Sequence, residues 1–535
     1  MGRQGACWIV AVLAWTSMAS ANPEPPSADA RVVGMAGVAI ATVDSPAALL
    51  HNPAQLDRIE RFAVTASATS LLVDLRAPFA GLGSEVDSGL IYAPLPFLGV
   101  VGRVHPRFAL GVGAYVITGF GGGFPTVSCF GYGDPSACGD PSRTDAVTLE
   151  TPIEQSVTLF VGELAVPLQL TLVPDVLSLG VTLRLPYGRQ AVNAMQQEPL
   201  TGAWAPAEQN LDGFGVPGVL IGLSYRPIRG LTLAAVYRSK VWVNMSGITE
   251  VPFGSGDPIA IATSTRWYVP HMMRGGLAYT TWNDRLTISS ELRIQLHRRA
   301  NRTQVFDLEP DRALAGLVPD TVAQFRWKNV YIGSLAGELW VLPRMTVRLG
   351  GTLARSASNG DTMTAFSPPP GLQVSVFAGL GVRAGPLDVD LALGWGGGPA
   401  YRRETNEPVL CTSVHPDEDE RPRYTSGRNS SLLAASGCAG EYHVSSFFLG
   451  LSVTYRMGRD EVGDVGASPS SETETEMESV AEPETEGESE TVTESETVTE
   501  SETVTEPETV TESETVTESE TVTESETVTE TETTP

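Results

Sequence analysis

Six histidines, His51, His105, His271, His297, His415 and His443, are the first candidates for metal or acid–base chemistry in this chain. No two of them stand at the four-residue spacing that brings imidazoles to one metal. No Gly-x-Ser-x-Gly is present to build a nucleophile turn. His297 closes an alternating segment and could partner a serine, but a polar residue facing a wet interior explains it as well. The acidic run Asp417–Glu420 lacks the glycine-spaced ligand order of a calcium loop and reads as a solvated loop. No catalytic residue, metal site or cofactor is assigned. Four cysteines remain beyond the first residues, Cys129, Cys138, Cys411 and Cys438. An even number in an exported chain suggests disulfides, and of the three possible pairings proximity favours Cys129–Cys138 and Cys411–Cys438. The other polar candidates, Arg184, Arg238, Lys240, Glu291, Arg293, Arg348, Asp388 and Asp390, punctuate segments rich in apolar residues. Their chemistry is ion pairing and solvation within an enclosed interior.

The address comes from the start of the chain. Arg3, the apolar stretch Ala6–Trp15 and the small-x-small triplet Ala19-Ser20-Ala21 form a signal peptide over residues 1–21. The apolar stretch is too short to remain as a membrane helix, which needs roughly 20 residues. The formal charge of −28 is unevenly placed. From Asp460 onward there are 26 acidic residues and no Lys or Arg, leaving 37 acids against 35 bases in the body. A nearly neutral body carries an acidic tail, and the concentrated basic face of a nucleic-acid binder is absent.

Alternation of period two runs from about residue 61 to 457. In "LTISSELRIQLH", Leu286, Ile288, Leu292 and Ile294 share one face while Glu291 and Arg293 share the other. "LDVDLALGW" sets Leu387, Val389, Leu391 and Leu393 against Asp388 and Asp390. Such segments are strands with one greasy and one polar face. They are joined alternately by tight breaks ("VHPR", "VPDV", "RPIRG", "TWNDR", "LPRM", "RAGP") and by long polar stretches. The long ones cover about residues 76–87, 119–152, 188–212, 249–262, 299–324, 356–368 and 398–441. Strict alternation of short and long connections predicts an all-β, transmembrane antiparallel barrel of about 14 strands over residues 61–457, with short turns in the periplasm and long loops outside. Closure is required, because an open edge in lipid would strand backbone N–H and C=O groups.

Residues 458–535, with "SETVTE"-like repeats, dense like charge and no aromatic residue, cannot bury a core. They are expected to form a disordered tail, on the periplasmic side if the strand number is even. Before the first strand, "GMAGVAIATVDSPAALLHNPAQL" (Gly34–Leu56) is half apolar, broken by Pro46 and Pro53, and fits no regular element. Within residues 22–60 it is expected to pack in the barrel lumen as a hatch, with Gly34, Gly37, Asp44, Asn52, Pro53 and Ala54 as its marked positions.

That stretch, with Asn52-Pro53-Ala54, resembles the N-terminal hatch of the FadL-type outer-membrane transporters. The resemblance extends into the strand–turn–strand cadence of "FALGVGAYVITGFGG", "GVLIGLSYRPIRGLTLAAVYRSKVWVNMSG" and "MTVRLGGTLARS", and covers most of residues 30–456. Gln55, the cysteine-bearing loops and the tail depart from the pattern. The resemblance implies passive uptake of hydrophobic molecules, long-chain fatty acids or hydrocarbons, through a plugged barrel. The partners implied are outer-membrane lipid and the barrel-assembly machinery, which would read the aromatic finish of "HVSSFFLGLSVTYRM"; the barrel is expected to be monomeric. A hydrophilic-solute porin, or a surface adhesion or structural barrel, are the alternatives. An empty, charge-lined lumen would favour the porin; a filled one would favour the transporter.

Overall fold

The computed structural model describes residues 27–79, 83–131, 146–197, 204–251, 258–310, 321–360, 362–404 and 440–458. Residues 1–26, where a signal peptide is expected, Cys138, Cys411, Cys438, Asp417–Glu420 and the residues beyond 458 lie outside these, as does the side chain of Cys129.

The chain begins with two short helices, α1 (Ala30–Gly34) and α2 (Ala48–His51), and a 3-10 helix, Pro53–Arg58. Long strands follow: β1 (Phe62–Phe79), β2 (Gly83–His105), β3 (Phe108–Gly131), β4 (Ala146–Val173) and β5 (Leu177–Gln197). Next come paired shorter pieces, β6 (Trp204–Phe214), β7 (Gly218–Ile228), β8 (Leu231–Arg238), β9 (Val241–Val251), β10 (Ile259–Val269) and β11 (Met272–Thr281). They continue as β12 (Leu286–Gln295), β13 (Thr303–Glu309), β14 (Thr321–Gln324) and β15 (Val330–Leu342). The last are β16 (Met345–Arg355), β17 (Leu372–Ala384), β18 (Leu387–Gly397), β19 (Tyr401–Arg403) and β20 (Gly440–Met457).

Pairing is antiparallel throughout and closes on itself: β1 pairs with β20 from Phe62↔Met457 to Arg76↔His443. Joining collinear pieces gives 14 staves: β6 with β7, β8 with β9, β10 with β11, β12 with β13, β14 with β15, and β18 with β19. The crossing elements are strands; among the described residues no helix is long and apolar enough to span a membrane. Alternation of burial follows the predicted faces. In β18, Leu391 and Leu393 point outward while Asp388 and Asp390 are buried inside. All six tight connections fall at one end, where Gly230 and Gly385 take positive φ of 82° and 59° in the turns.

Three features differ from the sequence expectation. The stretches 119–152 and 188–212, read as irregular loops, are largely strand: β3 runs on to Gly131, β4 starts at Ala146, β5 reaches Gln197 and β6 starts at Trp204. Backbone pairing needs no apolar face once both partners continue, so the ladder extends beyond the greasy band. Five adjacent staves, from β6/β7 to β14/β15, are each interrupted at similar depth, and only the breaks at Pro217 and Pro270 carry a proline. Third, the connection between β16 and β17 is not an exposed loop: Ala357, Met363, Ala365 and Phe366 are buried.

Candidate functional site

The N-terminal segment, residues 27–60, is an irregular chain that packs against the inward faces of staves all round the barrel. Two caps set its local shape. Asp29 accepts from the Val32 N–H at the start of α1, and Asn52 accepts from the Ala54 N–H at the start of the 3-10 helix, with Pro53 next in line. Gly37 has φ of 79°, a turn residue that a side chain would strain.

Close approach to the wall depends on inward-facing glycines. A Cβ on Gly379 would lie 3.1 Å from the Gly34 Cα, and one on Gly350 would lie 2.8 Å from the Ala36 Cβ. On Gly276 it would meet Ile40 at 3.1 Å, on Gly99 Pro46 at 3.0 Å, on Gly113 Leu49 at 2.6 Å and on Gly450 Ala30 at 3.1 Å. On Gly180 and Gly222 it would overlap Pro53 and Asn52 outright. Eight staves thus present a missing side chain where the segment lies.

Because so little of the segment is helical, its backbone must find other partners. The wall and the segment's own side chains supply them. The Glu291 carboxylate accepts from Ala39 N (3.1 Å) and Ile40 N (3.4 Å). The Gly37 carbonyl accepts from Arg274 (3.1 Å) and Arg293 (3.4 Å), and the Ala28 carbonyl from Ser67 and Thr69. Thr182 donates to Leu49 O, and Arg456 to Asp44 O. Ile40 O receives both Asn52 Nδ2 at 2.7 Å and Gln55 Nε2 at 2.9 Å, while Asn52 also donates to Leu223 O of β7 at 3.2 Å.

Charges are paired in four groups. Asp44 meets Arg31 and Arg456; Arg31 and Arg348 share Glu338; Arg348 also reaches Asp390 at 2.6 Å, and Arg456 reaches Asp388 at 2.7 Å. Glu291 pairs with Arg274 at 2.5 Å and lies 3.6 Å from Arg293. Arg184 pairs with Glu163, which also accepts from Tyr115. Arg226 holds Asp57 at 2.7 Å and touches Gln55. Every charged position marked on the strands from sequence, Arg184, Arg238, Glu291, Arg293, Arg348, Asp388 and Asp390, is buried on the inner face. Lys240 instead lies over the rings of Tyr268 (5.0 Å) and Trp242 (6.0 Å). Sequence reading missed Arg31, Asp57, Glu163, Arg226, Arg274 and Glu338, although inward parity marks the strand residues among them. Gln55, noted as a departure, is completely buried and ties the segment to Arg226.

His51 is the one buried histidine with a serine partner in the segment: Nε2 lies 3.0 Å from Ser27 Oγ. Arg274 donates to its Nδ1 at 3.1 Å, which leaves the ring proton on Nε2, facing the serine. In this arrangement the ring donates to Ser27 and cannot take its proton. Burial, with Arg274 and Arg293 close by, holds the imidazole pKa well below its usual value, so it stays neutral. His297 stacks edge-on to Trp327 at 5.4 Å.

Beyond the segment, toward the long connections, the interior turns apolar. Leu71, Val73 and Leu75 of β1, Leu95 and Phe97 of β2, Phe124 of β3, Leu159 of β4, Trp267 of β10, Phe377 of β17 and Phe448 of β20 are all buried there in one continuous cluster with Leu49 of the segment. Phe325 and Trp327 pack on Trp267 with centroids 5.8 and 5.7 Å away. The interior is therefore polar and cross-linked at one level and mainly apolar and aromatic at the next, where Gln190, Gln209, Thr249, Thr263, Thr265 and Gln304 form a hydrogen-bonded polar strip on one side.

No protein-family model matches the chain, and no curated protein does. Solved structures do match its fold. A Pseudomonas aeruginosa FadL homologue superposes with a TM-score of 0.62 at 15% identity, covering 81% of this chain and 99% of its own. The Pseudomonas putida toluene transporter TodX gives 0.58 at 14%, covering 83% and 100%. The Ralstonia pickettii toluene transporter TbuX gives 0.57 at 16%, covering 82% and 99%. At these identities the likeness is one of fold.

Two outcomes follow from the geometry. Gly222→Val puts a branched side chain where Asn52 sits, and is expected to expel that part of the segment while leaving the barrel closed. Trypsin should then cleave at Arg58, protected in the wild type, while the barrel keeps its heat-dependent electrophoretic shift; continued protection would refute the tight seat. The second concerns pH. Burial, with Asp390 nearby, raises the Asp29 carboxyl from 3.8 to about 6, against the pull of Arg31 and Arg348. Its folded value is raised, so docking is fully favoured below about 3.8 and loses roughly 3 kcal/mol as pH climbs from about 4 to about 6. Asp44 acts oppositely: burial would raise it, but Arg31 and Arg456 hold it well below 3.8, and its contribution disappears only in strong acid. Asp29→Asn keeps an acceptor for Val32 N and is expected to flatten the rise in proteolysis of the segment between about pH 4 and about pH 6.

Proposed function

We propose that this chain is an outer-membrane channel for passive uptake of hydrophobic molecules, long-chain fatty acids or hydrocarbons, with residues 27–60 as a hatch. The observation that carries the reading is the apolar, aromatic interior enclosed above the N-terminal segment. A porin for polar solutes needs a wet, charge-lined passage, whereas here the inner charges are engaged with one another and with the segment. An apolar solute gains about 0.8 kcal/mol for each methylene it buries, so it can be taken up among these side chains with few polar contacts. The fold shared with a FadL homologue and with toluene transporters supports the same reading.

In this reading the tight turns face the periplasm and the long connections face outward. The N-terminal segment enters β1, and β20 returns, at the turn end, so the acidic tail leaves on the periplasmic side. The outward belt, with Leu391, Leu449 and Leu451 among its exposed side chains, meets lipid, and the alternating Phe447, Leu449, Leu451, Val453 and Tyr455 suit recognition by insertion machinery. Release toward the turn end requires the segment to rearrange, since it lies between the apolar interior and that end.

Reconstituted into proteoliposomes, the protein is expected to speed entry of a labelled long-chain fatty acid or of toluene with no energy source, and to leave swelling in sugar solutions at the protein-free rate. Removal of residues 30–60 is expected to raise conductance in planar bilayers. Rapid sugar swelling by the intact protein, without faster entry of the apolar solutes, would overturn the proposal in favour of a porin.

A further inference from the structure

The segment between β16 and β17 reads "SASNGDTMTAFSPPPG" (356–371), a sequence that belongs at a wet surface. Yet Ser356, Ala357, Ser358 and residues 362–369 are buried, Met363 to 1% exposure and Ala365 to 2%. Phe366 meets Phe124 of β3 edge-on, centroids 5.4 Å apart, and a Cβ on Gly122 would stand 3.4 Å from its ring. The third stave is five staves away from the one that β17 forms, so this piece crosses the interior. Most of its polar groups find partners close to home: Thr364 and Ser367 bond to each other three times, and Thr362 Oγ1 donates to Phe325 O at 2.6 Å, while the buried Ser358 Oγ meets no partner among the described residues.

The wall beside it is incomplete. Among the described residues β14 pairs with β13 alone, and the pairing of β15 with β16 stops at Ile332↔Ala354. Past that point, among the described residues, Lys328 N to Ala357 O at 2.7 Å and the Thr362 bond to Phe325 tie the tenth stave across. The segment fills a gap that strand pairing leaves. It ends in Pro368-Pro369-Pro370, a stiff strut, and in Gly371 at φ of 129°, a conformation open to glycine.

We infer that the cleft now filled by Met363, Ala365 and Phe366 is an outer binding position for a compact apolar, preferably aromatic, group, and that residues 362–370 are a displaceable gate holding it closed. The inference rests on the proposed function and adds to it the position where a ligand first replaces protein. Phe366 occupies that position as a stand-in: an arriving ring takes its edge-on contact with Phe124, the segment swings on Gly371, and the gap beside β14 opens. Apolar contacts are exchanged for equivalent ones, so the movement is resisted by a few hydrogen bonds, among them Thr362 Oγ1 to Phe325 O and Gln373 Nε2 to Pro369 O at 3.5 Å.

N-phenyl-1-naphthylamine, whose fluorescence rises in apolar surroundings, tests this with the full chain in nanodiscs. Phe366→Ala removes the internal competitor and is expected to bind the probe about ten-fold more tightly than wild type. Thr362→Val removes one hydrogen bond at constant volume and is expected to raise the association rate about five-fold; it keeps the test open should Phe366→Ala fail to assemble. Wild-type affinity and association rate in both variants, with the probe bound by all, would overturn the gate and leave the proposed function standing. No binding of the probe by wild type or either variant would overturn both.

Discussion

An irregular chain inside a membrane barrel has no water to satisfy its backbone, and that constraint explains most of what surrounds residues 27–60. Ala39 N, Ile40 N, Ile40 O, Gly37 O, Ala28 O and Leu49 O would each cost free energy if left bare. Each instead meets a side chain placed for it: Glu291, Asn52, Gln55, Arg274, Arg293, Ser67, Thr69 or Thr182. These side chains are polar because of what they serve. The same closeness requires wall glycines, since a barrel lined by ordinary side chains would hold the segment too far away for such bonds. Cross-linking charges then set its position: a buried pair adds little net stability over an apolar isostere, but loss of one partner is expensive, which makes such pairs good at fixing a register. A segment seated by many individually modest contacts can be held in place and still be displaced.

The division of the interior into two levels gives this seating its consequence. Charges concentrate where the segment needs partners, and apolar residues line the space it leaves. Leu49 belongs to both, with its carbonyl bonded to Thr182 and its side chain packed in the cluster that includes Phe97 and Leu159. An ion entering the upper level would lose hydration for a few buried amide and hydroxyl groups such as Gln190, Gln209 and Gln304, whereas an apolar molecule loses only water it binds poorly.

The strand count, the short-and-long alternation of connections and the inward face of Arg184, Glu291, Arg348 and Asp390 were legible in the sequence because period-two patterning is a local signal. Other features depend on partners distant in the chain. Gly222 looks like any strand glycine until Asn52, far earlier in sequence, is set against it. Gln55 reads as an anomaly until Ile40 O and Arg226 are known to flank it. The segment 356–370 has the composition of a surface loop, and only the gap beside β14 gives it a reason to turn inward. Strand ends were misplaced for a related reason: hydropathy marks where strands meet lipid, whereas pairing continues as long as both backbones do.

The central claim is that apolar molecules occupy the upper interior. Photolabelling tests it most directly: outer membranes containing the protein are irradiated with a long-chain fatty acid bearing a diazirine near its methyl end, and labelled residues are mapped by mass spectrometry. The account predicts adducts on inward residues such as Leu71, Phe97, Phe124 and Leu159, diminished by excess unlabelled fatty acid. Adducts confined to the outward Leu391, Leu449 and Leu451, insensitive to competition, would contradict it.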